Sequence, residues 1–406
     1  MQTMTSDYYF ISAGEPSGDL LAAELVAEMK KRFPELTACG IAGPKMIAED
    51  VHALAHINDL SVMGFVEVIK HLPKLKRLDD FLLETIDRHP PRFAILVDYP
   101  GFHMRFAAAL KARGIPVIQY VAPQLWAWGE KRTEKLRRVT DLVLGIMPFE
   151  VPFFKDKGVN VSYVGSPQVN RARKARDRRE DWGIHLEKGQ SAIGFFPGSR
   201  YGEVSRLLPN IVNIREAMRE HEASFQFFVS LAPSLNLDVL KPMLGNNLDD
   251  VSAAIEANGR FTLGDTTFVR GDSLDLMKTV DAALVTSGTA TLECGLCHTP
   301  MAVAYVMHHL SYKIAKRLVK LPHISLVNLV AGKEIVREFV QDIDAQAVAK
   351  ELAGLAAEGP IRDKKIRHLQ GLDEKLKGDL AYHAASRIFD FYAKIRYPDD
   401  QSPQIG

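Results

Sequence analysis

The run DAALVTSGTATLECGLCHTPMAVAY, residues 281–305, decides the fold. Residues 282–285 are an apolar run of the right length for a buried strand. Thr286, Ser287, Gly288 and Thr289 make a small polar turn. Residues 290–297 read as the start of a helix, and residues 300–305 as the next strand. A strand feeding a helix through such a turn gathers backbone N–H groups and a positive dipole end at one spot, which suits phosphate. An ordinary Ser/Thr-capped helix would show the same residues, so both readings stand here. Glu293, one turn into the helix, is placed to accept hydrogen bonds from sugar hydroxyls.

The same alternation spreads outward in both directions. Upstream of residue 281, strands are predicted over 191–196, 225–231 and 268–270, with a helix over 203–220. The turn after the first of these is Pro197-Gly198-Ser199-Arg200, and Arg200 offers a forked cation to a diphosphate. Nearer the N-terminus, strands are predicted over 8–13, 38–42, 93–97, 117–121, 142–146 and 161–164. The first leads through GEPSGD (14–19) into an amphipathic helix over 20–32. Strands alternating with helices predict parallel, doubly wound sheets, one Rossmann-like half after another. Neither G-x-G-x-x-G nor G-K-[ST] is present, so the dinucleotide fingerprint and the P-loop are absent.

Length and composition set the bounds. A chain of 406 residues fits two domains, and 47% apolar with 25% charged residues is a folded, soluble balance. A net charge of +1 makes no global case for nucleic acid. Three cysteines give no disulfide framework and point to a reducing compartment. The first residues lack the pattern of a signal peptide, and no apolar run approaches the ~20 residues of a membrane span. Cys294 and Cys297 read as buried small side chains, since no second pair completes a zinc site. The boundary is expected around residues 165–181, with RARKARDRR (171–179) as an exposed linker helix. Domains are thus expected over 1–166 and 167–375, and a closing helix over 376–406 packs back on an N-terminal domain. That helix belongs to a predicted helical stretch running from about 373 to 395.

Two further features carry chemistry. Asp98 follows the strongest strand, FAILV, at the strand end where open α/β sheets bind ligands. It reads as a general base or as a cap on a helix over 102–113. Residues 62–78, VMGFVEVIKHLPKLKRL, combine large apolar side chains with a basic cluster. This is the pattern of a segment in an anionic membrane interface, or of a core helix with a solvated end. Pro73 predicts a break within it.

Eight stretches in order then carry a resemblance. They are GEPSGD (14–19), VMGFVEV (62–68), DYPGF (98–102), YVAPQLWAW (120–128), PFE (148–150), PGSR (197–200), SGTATLE (287–293) and ISLVNL (324–329). Together they resemble the lipid-A-disaccharide synthases, glycosyltransferase family 19. The resemblance implies the α/β GT-B architecture, two Rossmann-like parallel-sheet domains facing across a cleft. It implies a metal-free, cofactor-free inverting transfer from UDP-2,3-diacylglucosamine to 2,3-diacylglucosamine 1-phosphate (lipid X). Asp98 would be the base. Gly198, Ser199, Arg200, Ser287, Gly288, Thr289, Glu293 and Asn328 would hold the UDP donor. Glu15, Ser17 and Asp19 would shape the acceptor side. Val62, Met63, Phe65, Val66, Ile69 and Leu72 would touch an anionic membrane, on the cytoplasmic face of the inner membrane. A homodimer is left open. Gly101, His103, Ser166, Asn170 and the pair Gly129-Glu130 depart from the family pattern and bear on acceptor fit. The rival readings are a soluble UDP-sugar enzyme of the same fold, such as a UDP-N-acetylglucosamine 2-epimerase, and a non-catalytic nucleotide-binding module.

Overall fold

The structure, a computed structural model, describes residues 7–60, 65–221, 224–245, 248–271, 273–318 and 321–396. Side chains of residues 65–74, 242, 310, 311, 314, 315 and 318 lie outside that description. The chain forms two compact units, Met1–Pro167 with Gly378–Gly406, and Gln168–Lys377.

The first unit holds a seven-stranded sheet. Its strands are β1 (Tyr8–Ala13), β2 (Thr37–Ala42), β3 (His52–His56), β4 (Ala94–Val97), β5 (Val117–Tyr120), β6 (Leu142–Gly145) and β7 (Val161–Tyr163). They run in the order β3-β2-β1-β4-β5-β6-β7, and every pairing is parallel. Alternate residues of β1 serve opposite faces, as the pleat dictates. Tyr9 and Ile11 join the core on one face, and Tyr8 and Phe10 the core on the other. Burial on both faces explains why β1 and β4 are continuous apolar runs. Helix Leu380–Arg396 belongs to this unit and packs on helix Pro16–Arg32 through Leu380, Ala384, Ala385 and Ile388. Phe33 packs at an angle against Phe389 and edge-on against Tyr392, with ring centroids 5.3 and 5.7 Å apart.

The second unit repeats the plan with β8 (Gln190–Phe196), β9 (Ser224–Leu231), β10 (Arg260–Leu263), β11 (Thr266–Arg270), β12 (Ala282–Thr286), β13 (Met301–Tyr305) and β14 (Glu338–Val340). The order is β10-β11-β9-β8-β12-β13-β14. Among the described residues only the β10–β11 pair is antiparallel, a hairpin that adds one edge strand to the parallel sheet.

Three expectations about local structure need correction. First, the C-terminal helical stretch is two helices, Pro360–Leu376 and Leu380–Arg396. Gly378, at φ +134°, makes the break with a conformation other residues rarely adopt. Second, RARKARDRR is no solvated linker helix. The helix Pro167–Ala172 ends early, and the rest is stitched down by side chains: Arg178 to Asp275 at 2.9 Å and Arg179 to Asp281 at 2.7 Å. Fixed carboxylates on neighbouring elements turn the charge run into a docking strip. Third, the helix at Phe65–Arg88 runs through Pro73 without interruption. One missing N–H within 24 residues is tolerated when the turns on either side remain bonded. Val62 and Met63, and the side chains of Phe65, Val66, Ile69 and Leu72, lie outside the described residues. Among the described residues, no helix is long and apolar enough to cross a membrane.

Candidate functional site

In each unit the first strand sits between the second strand and a later one. That reversal of strand order is the switch point where doubly wound sheets bind ligands, at the strands' C-terminal ends. The turns after β1, β4, β8 and β12 lie there.

In the second unit, β8 and β12 pair in register, with Phe196 opposite Val285. The turns that follow these strands are therefore neighbours. A Cβ placed on Gly198 (φ +109°) would lie 3.2 Å from Thr286 Cγ2 and 3.0 Å from Glu203 Oε2, so glycine lets the turns close up. Ser199 and Arg200 are exposed. Arg200 is 81% exposed and bonds Glu203 Oε1 at 2.9 Å, which leaves most of its fork outward. Gly288 precedes helix Thr289–Leu296 at φ +147°, and no side chain caps that helix. Open space lies over Gly288 beside exposed Thr289, where the first N–H groups of the helix have no intrahelical partner.

Glu293 sits in the same helix, 5% exposed. Burial raises its pKa, and the guanidinium of Arg171 opposes the rise. Arg171 Nη1 lies 2.6 Å from Glu293 Oε1, an ion pair whose angle falls outside hydrogen-bond geometry. Ser287 Oγ donates to Ile324 O at 2.7 Å, tying the turn to the start of helix Leu326–Ala331. There Glu338 of β14, which the sequence did not single out, gathers three partners. Its carboxylate accepts from Ile324 N at 2.9 Å, from Ser325 N at 3.0 Å and from Asn328 Nδ2 at 2.8 Å. Asn328 is wholly buried; its oxygen accepts from Ile335 N and Val336 N, and its nitrogen also donates to Val336 O. Asn328 thus braces the start of helix Leu326–Ala331 behind the turn, with its polar atoms bonded within the fold.

In the first unit, GEPSGD follows β1 and Asp98 follows β4, which pair side by side. Glu15 and Ser17 are exposed. Asp19 is buried, and its carboxylate accepts from Gly43 N at 2.9 Å, Lys45 N at 2.9 Å and Met46 N at 3.1 Å. It therefore caps the short helix Pro44–Ala48 from a distance in sequence. Asp98 is half-buried, and burial raises its pKa against a hydrogen bond from Tyr99 N–H. The helix after it spans Pro100–Lys111 with Tyr99 as N-cap and no side-chain capping bond, so the capping alternative for Asp98 fails. Asp98 and Tyr99 both have left-handed backbones, at φ +51° and +49°. Farther along the sheet, Trp126 Nε1 donates to Glu150 at 3.2 Å, and Trp128 is 78% exposed. Cys294 and Cys297 are buried, free thiols.

Comparisons with known proteins agree with one another. The family model for lipid-A-disaccharide synthetase matches residues 9–383. A lipid-A-disaccharide synthase from Geobacter sulfurreducens is 36% identical over 397 residues, covering 97% of this chain and all of the relative. Another, from an Anaeromyxobacter species, is 38% identical and covers 90% of this chain and 92% of its own. Among solved structures, UGT71G1 of Medicago truncatula, complexed with UDP-glucose, aligns with a TM-score of 0.56 at 12% identity, over 95% of this chain and 98% of its own. A glycosyltransferase from Rickettsia africae aligns at 0.54 and 10% identity, over 96% and 98%. At such identities these two likenesses speak for the fold alone, the GT-B plan of two Rossmann-like domains.

Proposed function

The chain belongs to the lipid-A-disaccharide synthase family, and from that premise we propose that it joins two acylated glucosamines by a single inverting displacement. It is a glycosyltransferase of lipid A biosynthesis. The donor is UDP-2,3-diacylglucosamine, the acceptor lipid X, and the products the β(1→6) disaccharide 1-phosphate and UDP. The observation that carries the reading is the pair of touching turns at β8 and β12. Arg200 and the uncapped start of helix Thr289–Leu296 sit on those turns and suit a leaving diphosphate.

Each side chain then has a task. As the glycosidic bond to UDP breaks, negative charge grows on the diphosphate. Fixed N–H donors of Gly288 and Thr289 and the Arg200 fork stabilise it without reorganising. Glu293 accepts from the ribose hydroxyls. Asn328 supports the donor turn indirectly, through Glu338 and the Ile324 carbonyl that holds Ser287. Asp98 takes the proton of the acceptor hydroxyl as that oxygen attacks the anomeric carbon. Its raised pKa strengthens it as a base once ionised. Glu15 and Ser17, exposed beside it, shape the acceptor side, while Asp19 holds their loop. Residues 62–72 rest on the anionic cytoplasmic face of the inner membrane and receive the acyl chains.

The deciding experiment incubates the protein with both acylated substrates and weighs the product. A disaccharide 1-phosphate with equimolar UDP supports the reading. Turnover of UDP-N-acetylglucosamine alone would overturn it in favour of an epimerase.

A further inference from the structure

Asp98 is presented on an elbow of backbone that L-residues rarely adopt. Asp98 and Tyr99 are consecutive left-handed residues, and Val121, at the end of the next strand, is a third at φ +68°. Such conformations persist only where the surroundings over-determine them. Here the surroundings can be named. His103 is wholly buried; its Nδ1 lies 2.7 Å from the Asp98 carbonyl oxygen and its Nε2 2.8 Å from Ser12 Oγ. Gln119, 1% exposed, donates from Nε2 to the carbonyls of Asp98 and Val121, each at 3.3 Å. Ser12 lies on β1 and Gln119 on β5, the strands flanking β4, so the elbow is gripped from both sides. The Tyr99 ring packs where a Cβ at position 14 would stand, and its hydroxyl donates to Leu60 O at 2.9 Å.

The tautomer follows from the partners. A carbonyl oxygen only accepts, so Nδ1 carries the proton and Nε2 accepts from the Ser12 hydroxyl. Burial pushes the ring down to about 4, so it stays neutral at working pH and this tautomer persists.

We propose that His103 is a positioning residue: its Nδ1–H, steadied by Ser12, holds the Asp98 carbonyl and so aims the Asp98 carboxylate at the acceptor hydroxyl. The proposal rests on reading Asp98 as the base. His103 touches no substrate; it acts through the backbone it holds. Misplacing a reacting group by ~1 Å can cost 10²-fold in rate, which is the scale expected if the elbow relaxes.

The test uses the full chain with His103→Asn, His103→Gln and His103→Leu. An asparagine amide reaches the Nδ1 position and keeps the bond to Asp98; a glutamine amide reaches the Nε2 position and keeps only the bond to Ser12. Expected are kcat losses of about 10- to 100-fold for His103→Gln and His103→Leu, at unchanged donor KM, and recovery to near wild type for His103→Asn. If the leucine variant does not fold, the Asn/Gln pair carries the comparison alone. Equal activity of the Asn and Gln variants overturns the proposal, as does a raised KM at unchanged kcat. In an Asp98→Asn background, His103→Gln should add no further loss. The same fold-loss there would show that His103 acts elsewhere and overturn the proposal while the base reading stands. Wild-type turnover by Asp98→Asn alone would instead sink the base reading.

Discussion

The two units share one strand plan and use it in opposite ways. In the first, Glu15 and Ser17 stay exposed, but the groups around them at the switch point are bonded inward. Asp19 caps a helix, His103 and Gln119 grip the Asp98 carbonyl, and Tyr99 is wedged against Gly14. In the second, the switch-point turns leave donors outward: Arg200 is 81% exposed, and the helix after Gly288 has no cap. The bracing there stands one layer back, in Asn328 and Glu338. The difference suits the tasks proposed. A base must be aimed, so its backbone is held rigid. A diphosphate brings its own charge and satisfies the open donors itself.

The sharpest way to break this contrast is Asp98→Asn. It should lower kcat by about 10²- to 10⁴-fold, while UDP affinity by calorimetry stays at the wild-type value. A matching loss of UDP affinity would mean that the first unit's switch point also serves the donor. The pH profile adds a sign. Because burial raises the Asp98 pKa, activity should fall with acid at a pH above the ordinary aspartate range, and that fall should vanish from the variant's residual rate.

Asn328→Ala probes the second unit's bracing. It strands the buried N–H groups of Ile335 and Val336 and the carbonyl of Val336. A cost of about 2–4 kcal/mol is expected, since each stranded group costs ~1–3 and some will find water. Thermal unfolding should show the drop, and UDP at saturating concentration should recover part of it. An unchanged melting temperature with lost UDP affinity would place Asn328 against the nucleotide after all.

How much of this was legible in the sequence depends on the kind of signal. β1, β4 and β12 are apolar on both faces and announce themselves. β3 (HALAH), β10 (RFTL) and β14 (EFV) lie at sheet edges and are too short or too mixed for a period to stand out. The GEPSGD, PGSR and SGT turns were visible through their glycines. Ser12 and Gln119 did offer a signal, a polar residue inside an apolar strand, but nothing says in advance which neighbour it bonds. His103 was visible only as a departure from a family pattern. Glu338 carries no local signal, because its partners lie 10–14 residues away and only folding brings them together.

Arg200→Ala tests the open half of the comparison. Removing one charged fork should weaken UDP binding by about 10- to 100-fold, at the ~1.5–3 kcal/mol of a charge-assisted hydrogen bond. Stability should barely change, because the Arg200–Glu203 pair is exposed and worth little. A large loss of stability would show that this turn, like its counterpart in the first unit, is braced by its own side chain.

The smallest effect expected is that of Arg171→Ala, and it bears on Glu293, a buried carboxyl of the donor side. Arg171 is the counter-charge that opposes the raised pKa of Glu293. Its side chain is 56% exposed, so solvent screens the pair and the stability at stake is below about 1 kcal/mol. The direction is definite. A carboxyl whose folded pKa exceeds its unfolded value binds more protons when folded, so its contribution to stability declines as pH rises through that window. Without Arg171 the folded pKa rises further and the window widens upward. Melting temperature plotted against pH should therefore fall more steeply for the variant above the ordinary glutamate range. UDP affinity should become more pH-dependent, since a protonated Glu293 has lost part of its capacity to accept from the ribose. Parallel melting curves for variant and wild type would mean that Glu293 is held by the helix around it and not by Arg171. Glu293 would then stand at the second unit's switch point without a charge brace, and the contrast with the first would sharpen.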